Sequence, residues 1–306
     1  IGWGGMAENL GVHVETLDFG TDSTIDFETV RSHLRADKGG RIKAIMAVHV
    51  DTSTSIRNDI KALSKVISDT GHDALLMVDC IASLGCDEFL MDDWGVDIMV
   101  SACQKGLMTP PAISFVYFSD RAANVRNEME RVSSYWDWNP RANPNLFYEY
   151  FCGTAPTQHL FGLREALDMI LEEGLPHVWL RHEVLARAVW ASCETWAQAG
   201  PIELNVADKN SRSRAVTALS IGAPRGIQLR KWTEKEAGLT LGIGLGMNTE
   251  KDPKAEGFFR IGHMGHVNAQ MIMGTLGSIQ AGLIALGIPY GSGGLDAAAQ
   301  VLANID

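Results

Sequence analysis

The chain has 306 residues, enough for one large domain with a smaller companion and a well-buried core. A formal charge of −11 and a pI near 5.3 remove the electrostatic basis for nucleic acid or an anionic membrane surface as partner, so small anionic ligands require locally placed arginines. Five cysteines (Cys80, Cys86, Cys103, Cys152, Cys193) without a C-x-x-C pair argue against a disulfide framework and a zinc knuckle, and a reducing, cytoplasmic location with no structural metal is expected. Along the chain, "IGWGGMAENLG" opens with Ile1 rather than Met and reads as the middle of a helix-containing unit, so an N-terminal portion is expected to precede it. Apolar runs bounded by turn signals follow: "VHVETL" near 12–17, "IKAIMAVHV" at 42–50, "ALLMVDC" at 74–80, "DIMVSAC" at 97–103 and "ISFVYFS" at 113–119. Between the second and third of these, Ile60, Leu63, Val66 and Ile67 line one face of an amphipathic helix that stops before Gly71, a βαβ crossover. The alternation predicts an α/β fold with a mostly parallel sheet flanked by helices.

After Gly153 the pattern turns helical. "TQHLFGLREALDMILEEGL" carries Leu160, Leu163, Ala166, Leu167 and Ile170 on one face and stops at Gly174, and "VWLRHEVLARAVWASCETWAQAG" continues as a long helix. Strands at "AVTALSI" and "GFFRIG" and a helix around "QMIMGTLGSIQAGLIALG" complete a smaller α+β unit. The expected division is 1–174 for a large domain and 175–306 for a small C-terminal one. No apolar run reaches the roughly 18 residues needed to cross a bilayer.

The stretch "DIMVSACQKGLMTPP" places a charged side chain, Lys105, where a hydrophobic strand opens into a loop. Asp79 ends the run "ALLMV", so two opposite charges converge on the edge of a parallel sheet where α/β enzymes bind ligands. Two readings stay open. One is a plain Asp–Lys ion pair. The other is a lysine whose burial frees the amine as a nucleophile, with an aspartate that keeps a pyridinium nitrogen protonated. Gln104, the hydroxyl cluster "DTSTS" (Asp51 to Ser55) and the indole of Trp3 supply what a phosphorylated aromatic cofactor needs, although the cluster also suits a turn.

The segments "IKAIMAVHVDTSTSIRNDI", "GHDALLMVDCIASLGCDEFLMDDWGVDIMVSACQKGLMTPP", "GLREALDMILEEGL", "GLTLGIGLG" and "FFRIGHMG" stand in order over nearly the whole chain. In them the chain resembles class V, fold-type I aminotransferases, particularly the serine-glyoxylate and alanine-glyoxylate branch. The resemblance implies pyridoxal 5'-phosphate as cofactor, held as a Schiff base by Lys105, with Asp79 at its ring nitrogen, Trp3 stacked on its ring, Thr52 near its phenolic oxygen, and Gln104 and Thr154 at its phosphate. Thr154 would serve a neighbouring subunit, so a homodimer or homotetramer is implied. Arg260 matches the arginine that binds the substrate carboxylate. The implied reaction moves the amino group of serine or alanine to glyoxylate or pyruvate, and divides the chain into a cofactor-binding domain and a small domain.

The sequence also departs from that family. The glycine- and serine-rich phosphate loop that relatives carry upstream of the Trp3 position is not in these 306 residues. Asp51 replaces the usual Glu, Ala102-Cys103 the usual Gly-Ser, and Ala112 a Gly, and "FCGTAPT" has no tyrosine beside Thr154. These changes bear on phosphate grip and substrate choice, and they favour pyridoxamine-pyruvate transamination as the alternative within the family. Gln104, where cysteine desulfurases usually have His, disfavours that branch. A nicotinamide-dependent dehydrogenase built on "GIGLG" (Gly242 to Gly246), or an inactive structural homologue, are the rivals from other classes; the glycine run lacks the spacing of the fingerprint and is expected to be a loop. His263 and His266 are expected to be loop histidines rather than metal ligands.

Overall fold

The computed structural model describes residues 2–304. Helix α1 (Gly2–Asn9) precedes α2 (Phe27–Ala36), β1 (Ala44–Val48), α3 (Ile60–Thr70), β2 (Leu75–Asp79), β3 (Ile98–Ala102) and β4 (Ser114–Phe118). The four strands form one sheet in sequence order. β1, β2 and β3 run parallel, with Val48 opposite Asp79 and Asp79 opposite Val100, and β4 closes the edge antiparallel to β3. α3 is the expected crossover. Asp59 caps it by accepting from the Ala62 N–H, and Gly71, in the left-handed region at φ 64°, ends it by donating to Ile67 and Ser68 carbonyls. Its apolar face and that of α2 close over Leu76, Val78 and Met99 of the sheet. Each such buried aliphatic side chain contributes about 1.5–3 kcal/mol.

The 12–17 run departs from expectation. Its backbone joins no ladder, and β1 is the edge strand of the sheet. Of the run only Leu17 packs against the same core, with Phe19 just beyond it, and Val12 is exposed.

Beyond the sheet come α4 (Asp120–Asn127), α5 (Asn139–Ala142), α6 (Thr157–Glu173) and α7 (Leu175–Ala197). Gly174, at φ 85°, breaks the path between the last two. Leu163 and Ile170 of α6 and Val178 of α7 bury Cys103 and Leu107 of the loop after β3. The second sheet is built from β5 (Glu203–Leu204), β6 (Val216–Ser220), β7 (Gly242–Ile243) and β8 (Phe258–Gly262), with α8 (Arg225–Ala237) between β6 and β7 and α9 (Ala269–Ala285) and α10 (Gly294–Ala303) at the end. Its order is β5-β6-β8-β7, all antiparallel. Val189 and Trp196 of α7, Leu219, Phe259 and Ile261 of the sheet, and Leu276 and Ile279 of α9 form its core. α10 lies so close to α7 that a Cβ on Gly294 would sit 2.3 Å from the Trp196 indole nitrogen.

The turn after β1 joins the two sheets. The Ala218 N–H of β6 donates to Ser55 Oγ at 3.1 Å, Ser213 N–H to Ser55 O at 3.0 Å, and Arg57 N–H to Ser211 O at 2.8 Å. Ser55 holds φ 63°, a left-handed conformation kept in place by these bonds.

Candidate active site at the edge of the parallel sheet

β1, β2 and β3 all end on one edge, and the loops that leave them carry the candidate residues. The loop after β1 forms the Asp51–Ser55 turn, in which Asp51 Oδ1 accepts from the Ser53 N–H at 2.7 Å. β2 ends on Asp79. β3 stops at Ala102, three residues before Lys105, so the lysine belongs to the loop and not to the strand's end. Thr109 closes that loop by donating its N–H and hydroxyl to Cys103 O at 3.1 and 3.0 Å. Gly106 lets it lie against the loop after β2, since a Cβ there would be 2.1 Å from Leu84 O.

Asp79 is half-buried and receives the Ile81 N–H on Oδ1 at 2.8 Å. Burial raises its carboxyl above the usual range, the Ile81 bond opposes that, and the negative charge of Asp51 adds to the rise. The Asp79–Lys105 ion pair that spacing allows does not form, and Lys105 makes no side-chain hydrogen bond or ion pair among the described residues. The edge therefore presents an amine and a carboxylate that are not spent on each other.

Arg260 reaches this edge from the second sheet. In β8 it lies opposite Ala218 and Gly242. Its Nη1 donates to Thr52 O and its Nε to Ile243 O, both at 2.7 Å. Burial lowers its guanidinium below the ordinary value and Asp51 works against that. Arg260 forms no ion pair among the described residues. Next to it the Gly265 backbone comes up to the lysine loop: a Cβ on Gly265, which has φ +89°, would lie 3.2 Å from the Met108 side chain and 3.7 Å from Lys105 O.

Thr52, Asp79, Lys105 and Arg260 thus gather at one edge. Gln104 beside the lysine is exposed. Thr154 is exposed as well, in the segment after the 3-10 turn Phe147–Phe151. Trp3 is half-exposed in α1, a helix with no buried residue, and no hydrogen bond joins it to the others among the described residues. Asp51 went unassigned in the sequence, although it is the charge common to Asp79 and Arg260.

The glycine run at Gly242–Gly246 begins as the edge strand β7 and then turns. No helix follows until α9, so no helix N-terminus faces a phosphate there and the dinucleotide reading falls. Its first glycine has another use: a Cβ on Gly242 would stand 3.0 Å from Arg260 Cβ and 3.3 Å from its Nε. His263 is fully buried and saturated, with Nδ1 on Arg214 O at 3.0 Å and Nε2 on the Thr217 hydroxyl at 2.9 Å. No group of three or more possible metal ligands occurs among the described residues. No helix of the described residues is long and apolar enough to cross a membrane.

Residues 1–244 match the family model of class-V aminotransferases. The chain is 34% identical to the serine--glyoxylate aminotransferase of Methylorubrum extorquens, over 97% of its own length and 73% of the relative's. It is 31% identical to the Arabidopsis thaliana enzyme of the same name, over 95% and 71%. The crystal structure of ureidoglycine-glyoxylate aminotransferase from Bacillus subtilis superposes with a TM-score of 0.84 at 26% identity, covering 98% of this chain and 75% of that one. An α/β chain with a free lysine, an aspartate and an unpaired arginine at its parallel-sheet edge, matched over four-fifths of its length by this family, belongs to the class-V aminotransferases.

Proposed function

We propose that the chain is a pyridoxal-phosphate-dependent aminotransferase that moves the amino group of a small amino acid, serine or alanine, to glyoxylate or pyruvate. The observation that carries the reading is Arg260: a half-buried guanidinium held in place by two main-chain carbonyls, one from the turn after β1 and one from β7, with no carboxylate of its own. Its remaining N–H groups suit the α-carboxylate that both substrates share, as two parallel hydrogen bonds. Glyoxylate as acceptor rests on the names of the three relatives, which agree on it, two naming serine and one ureidoglycine as donor.

The residues at the edge fit the cofactor. Asp79 has one carboxylate oxygen without a protein partner and a like charge nearby, a setting that a cationic ring nitrogen relieves. Lys105, without a protein partner, would hold the cofactor's aldehyde carbon; Thr52, Gln104, Trp3 and, from a neighbouring subunit, Thr154 would contact its other groups. Bound there, pyridoxal 5'-phosphate would supply the electron sink for the charge left at the substrate Cα. Arg260 orients the amino acid by its carboxylate. The Lys105 amine takes the proton from Cα and returns it on the far side of the transfer, acting in turn as base and acid. Asp79 stays ionised and holds the proton on the ring nitrogen. The packed loops around Gly106 and Gly265 fix the backbone that carries the lysine. Across the cycle the donor loses an amino group and two electrons to become a 2-oxo acid, and the acceptor gains both.

The same reading divides the chain at residue 174 into cofactor-binding and small domains, and makes the working unit a homodimer or homotetramer. Exposed Leu146, Phe147, Tyr148 and Tyr150, just ahead of Thr154, supply an apolar surface for the second copy. The test is to incubate the protein and pyridoxal 5'-phosphate with serine or alanine and glyoxylate. Glycine appearing in step with hydroxypyruvate or pyruvate supports the proposal. Turnover of pyridoxamine with pyruvate but of neither amino-acid donor, or turnover of no pair, overturns it.

A further inference from the structure

A second polar cavity lies away from the sheet-edge residues. It has a volume of about 380 Å³ and is lined by Arg57 of the first sheet's turn, Glu183, Arg187, Trp190 and Glu194 of α7, and the 209–214 segment that leads into β6. None of Thr52, Asp79, Lys105 or Arg260 lines it. The volume falls in the range of small-molecule sites.

Its charges do not cancel. Five cations face it: Arg57, Arg187, Lys209, Arg212 and Arg214. Glu194 is shared by Lys209 and Arg212 at 2.8 and 2.7 Å, Glu183 pairs with Arg214 at 2.8 Å, and buried Asp87 lies 3.6 Å from Arg57. These three carboxylates serve four of the five cations, and Asp208 adds a fourth negative charge near Arg212 and Arg57. Arg187 makes no ion pair or hydrogen bond among the described residues, and the buried Nε of Arg57 has no hydrogen-bond partner. In a chain of net charge −11, a recess with a surplus positive charge on Arg187 is an uneven distribution that concentrates anions. The walls are also rigid. Arg212 is fixed by Val206 O, Ala207 O and Glu194 and lies 5.5 Å from the Trp190 ring centroid, and Arg57 donates to Asn210 O at 2.6 Å.

We propose that this cavity is a second ligand site, which binds a small dianion, a phosphate monoester or a dicarboxylate, with Arg187 as its free clamp. The ligand neutralises the surplus charge and bridges the first sheet's turn to the second sheet's lead-in segment. The inference stands apart from the transaminase reading, because the site shares no residue with it.

Calorimetric titration of the full chain, with pyridoxal 5'-phosphate present and ionic strength held constant, tests it with two probes, inorganic phosphate and succinate. Saturable one-site binding of either probe is expected; phosphate alone marks a phosphate-ester site, succinate alone a dicarboxylate site. Arg187→Ala, at an exposed position that leaves the fold untouched, weakens it about tenfold, the loss expected for one charge-assisted contact, and Arg187→Lys restores part. Arg260→Ala leaves it unchanged. The proposal is overturned if neither probe saturates, if Arg187→Ala binds like the parent, or if Arg260→Ala abolishes the binding and so places it in the cleft.

Discussion

Arg212 and Arg260 stand at opposite ends of one design. Arg212 is buried, and its three nitrogens are spent on two carbonyls and Glu194. Arg260 is half-buried and has carbonyls alone. The same contrast separates their surroundings. The side chains of Arg212 and His263 have a partner on each nitrogen, whereas at the sheet edge Lys105 has none and Asp79 shares one oxygen with one N–H. Burial without partners is costly to a fold, so a region that tolerates it is shaped for something that arrives later.

Substitutions at the two regions should therefore fail in different ways. Asp79→Asn should lower kcat about 10²- to 10³-fold, because an amide cannot hold a ring proton by charge, and should leave the thermal midpoint nearly unchanged. A fall in stability with normal half-reaction rates would move Asp79 into the structural class. Arg260→Ala should cost about 2–5 kcal/mol in binding of amino acid and 2-oxo acid alike and spare amines without a carboxylate. Arg212→Ala should do the reverse, with about 3 kcal/mol lost from unfolding free energy and KM little altered, since it strands two carbonyls and leaves Glu194 with Lys209 alone. Measuring KM and denaturant midpoints for both variants sharpens the contrast, and equal effects on both quantities would dissolve it.

The smallest expected effect is on pH. Buried His182 and His263 are held neutral, their values pushed down to about 4 chiefly by burial, and His49 to about 3. Protonating His182 would also set its Nε2 against the Gly265 N–H it accepts at 3.1 Å, next to the lysine loop. Depressed folded values stabilise the protein above the unfolded value near 6.5, and that stability is lost as pH falls toward 4. At pH 5 each of His182 and His263 accounts for about 2 kcal/mol. Asp87, raised to about 6 mainly by burial, works in the opposite sense between about pH 4 and 6 and softens the fall. Thermal midpoints between pH 7 and 4.5 should drop and His263→Gln should flatten the drop; an unchanged profile would show that these rings titrate freely.

Most of the frame was legible in the sequence because it rests on periodicity and turn chemistry. Strands β1 to β4 fall inside the four apolar runs read from 42 to 119, and Gly71 and Gly174 stop the helices where expected. The 12–17 run misled because its alternation is matched by no pairing and leaves Val12 exposed. α10 was not predicted, although Leu295, Ala298 and Leu302 stand at helical spacing and pack on the second core. At the site, Lys105 and Asp79 were visible as charges ending apolar runs. The role of Gly242 was not, since it depends on the width of a side chain 18 residues away in the next strand. Asp51 was hidden for a similar reason: its neighbours Asp79 and Arg260 come from two different sheets.

Borohydride reduction of the protein loaded with pyridoxal 5'-phosphate, followed by peptide mapping, tests the central claim most directly. The partnerless lysine at the edge should carry the label, so the cofactor should be found on the peptide containing Lys105 and be absent after Asp79-neutral replacement of that lysine, Lys105→Ala. Cofactor fixed to any other lysine, or to Lys105→Ala protein as strongly as to the parent, would contradict the assignment of the sheet edge as the active site.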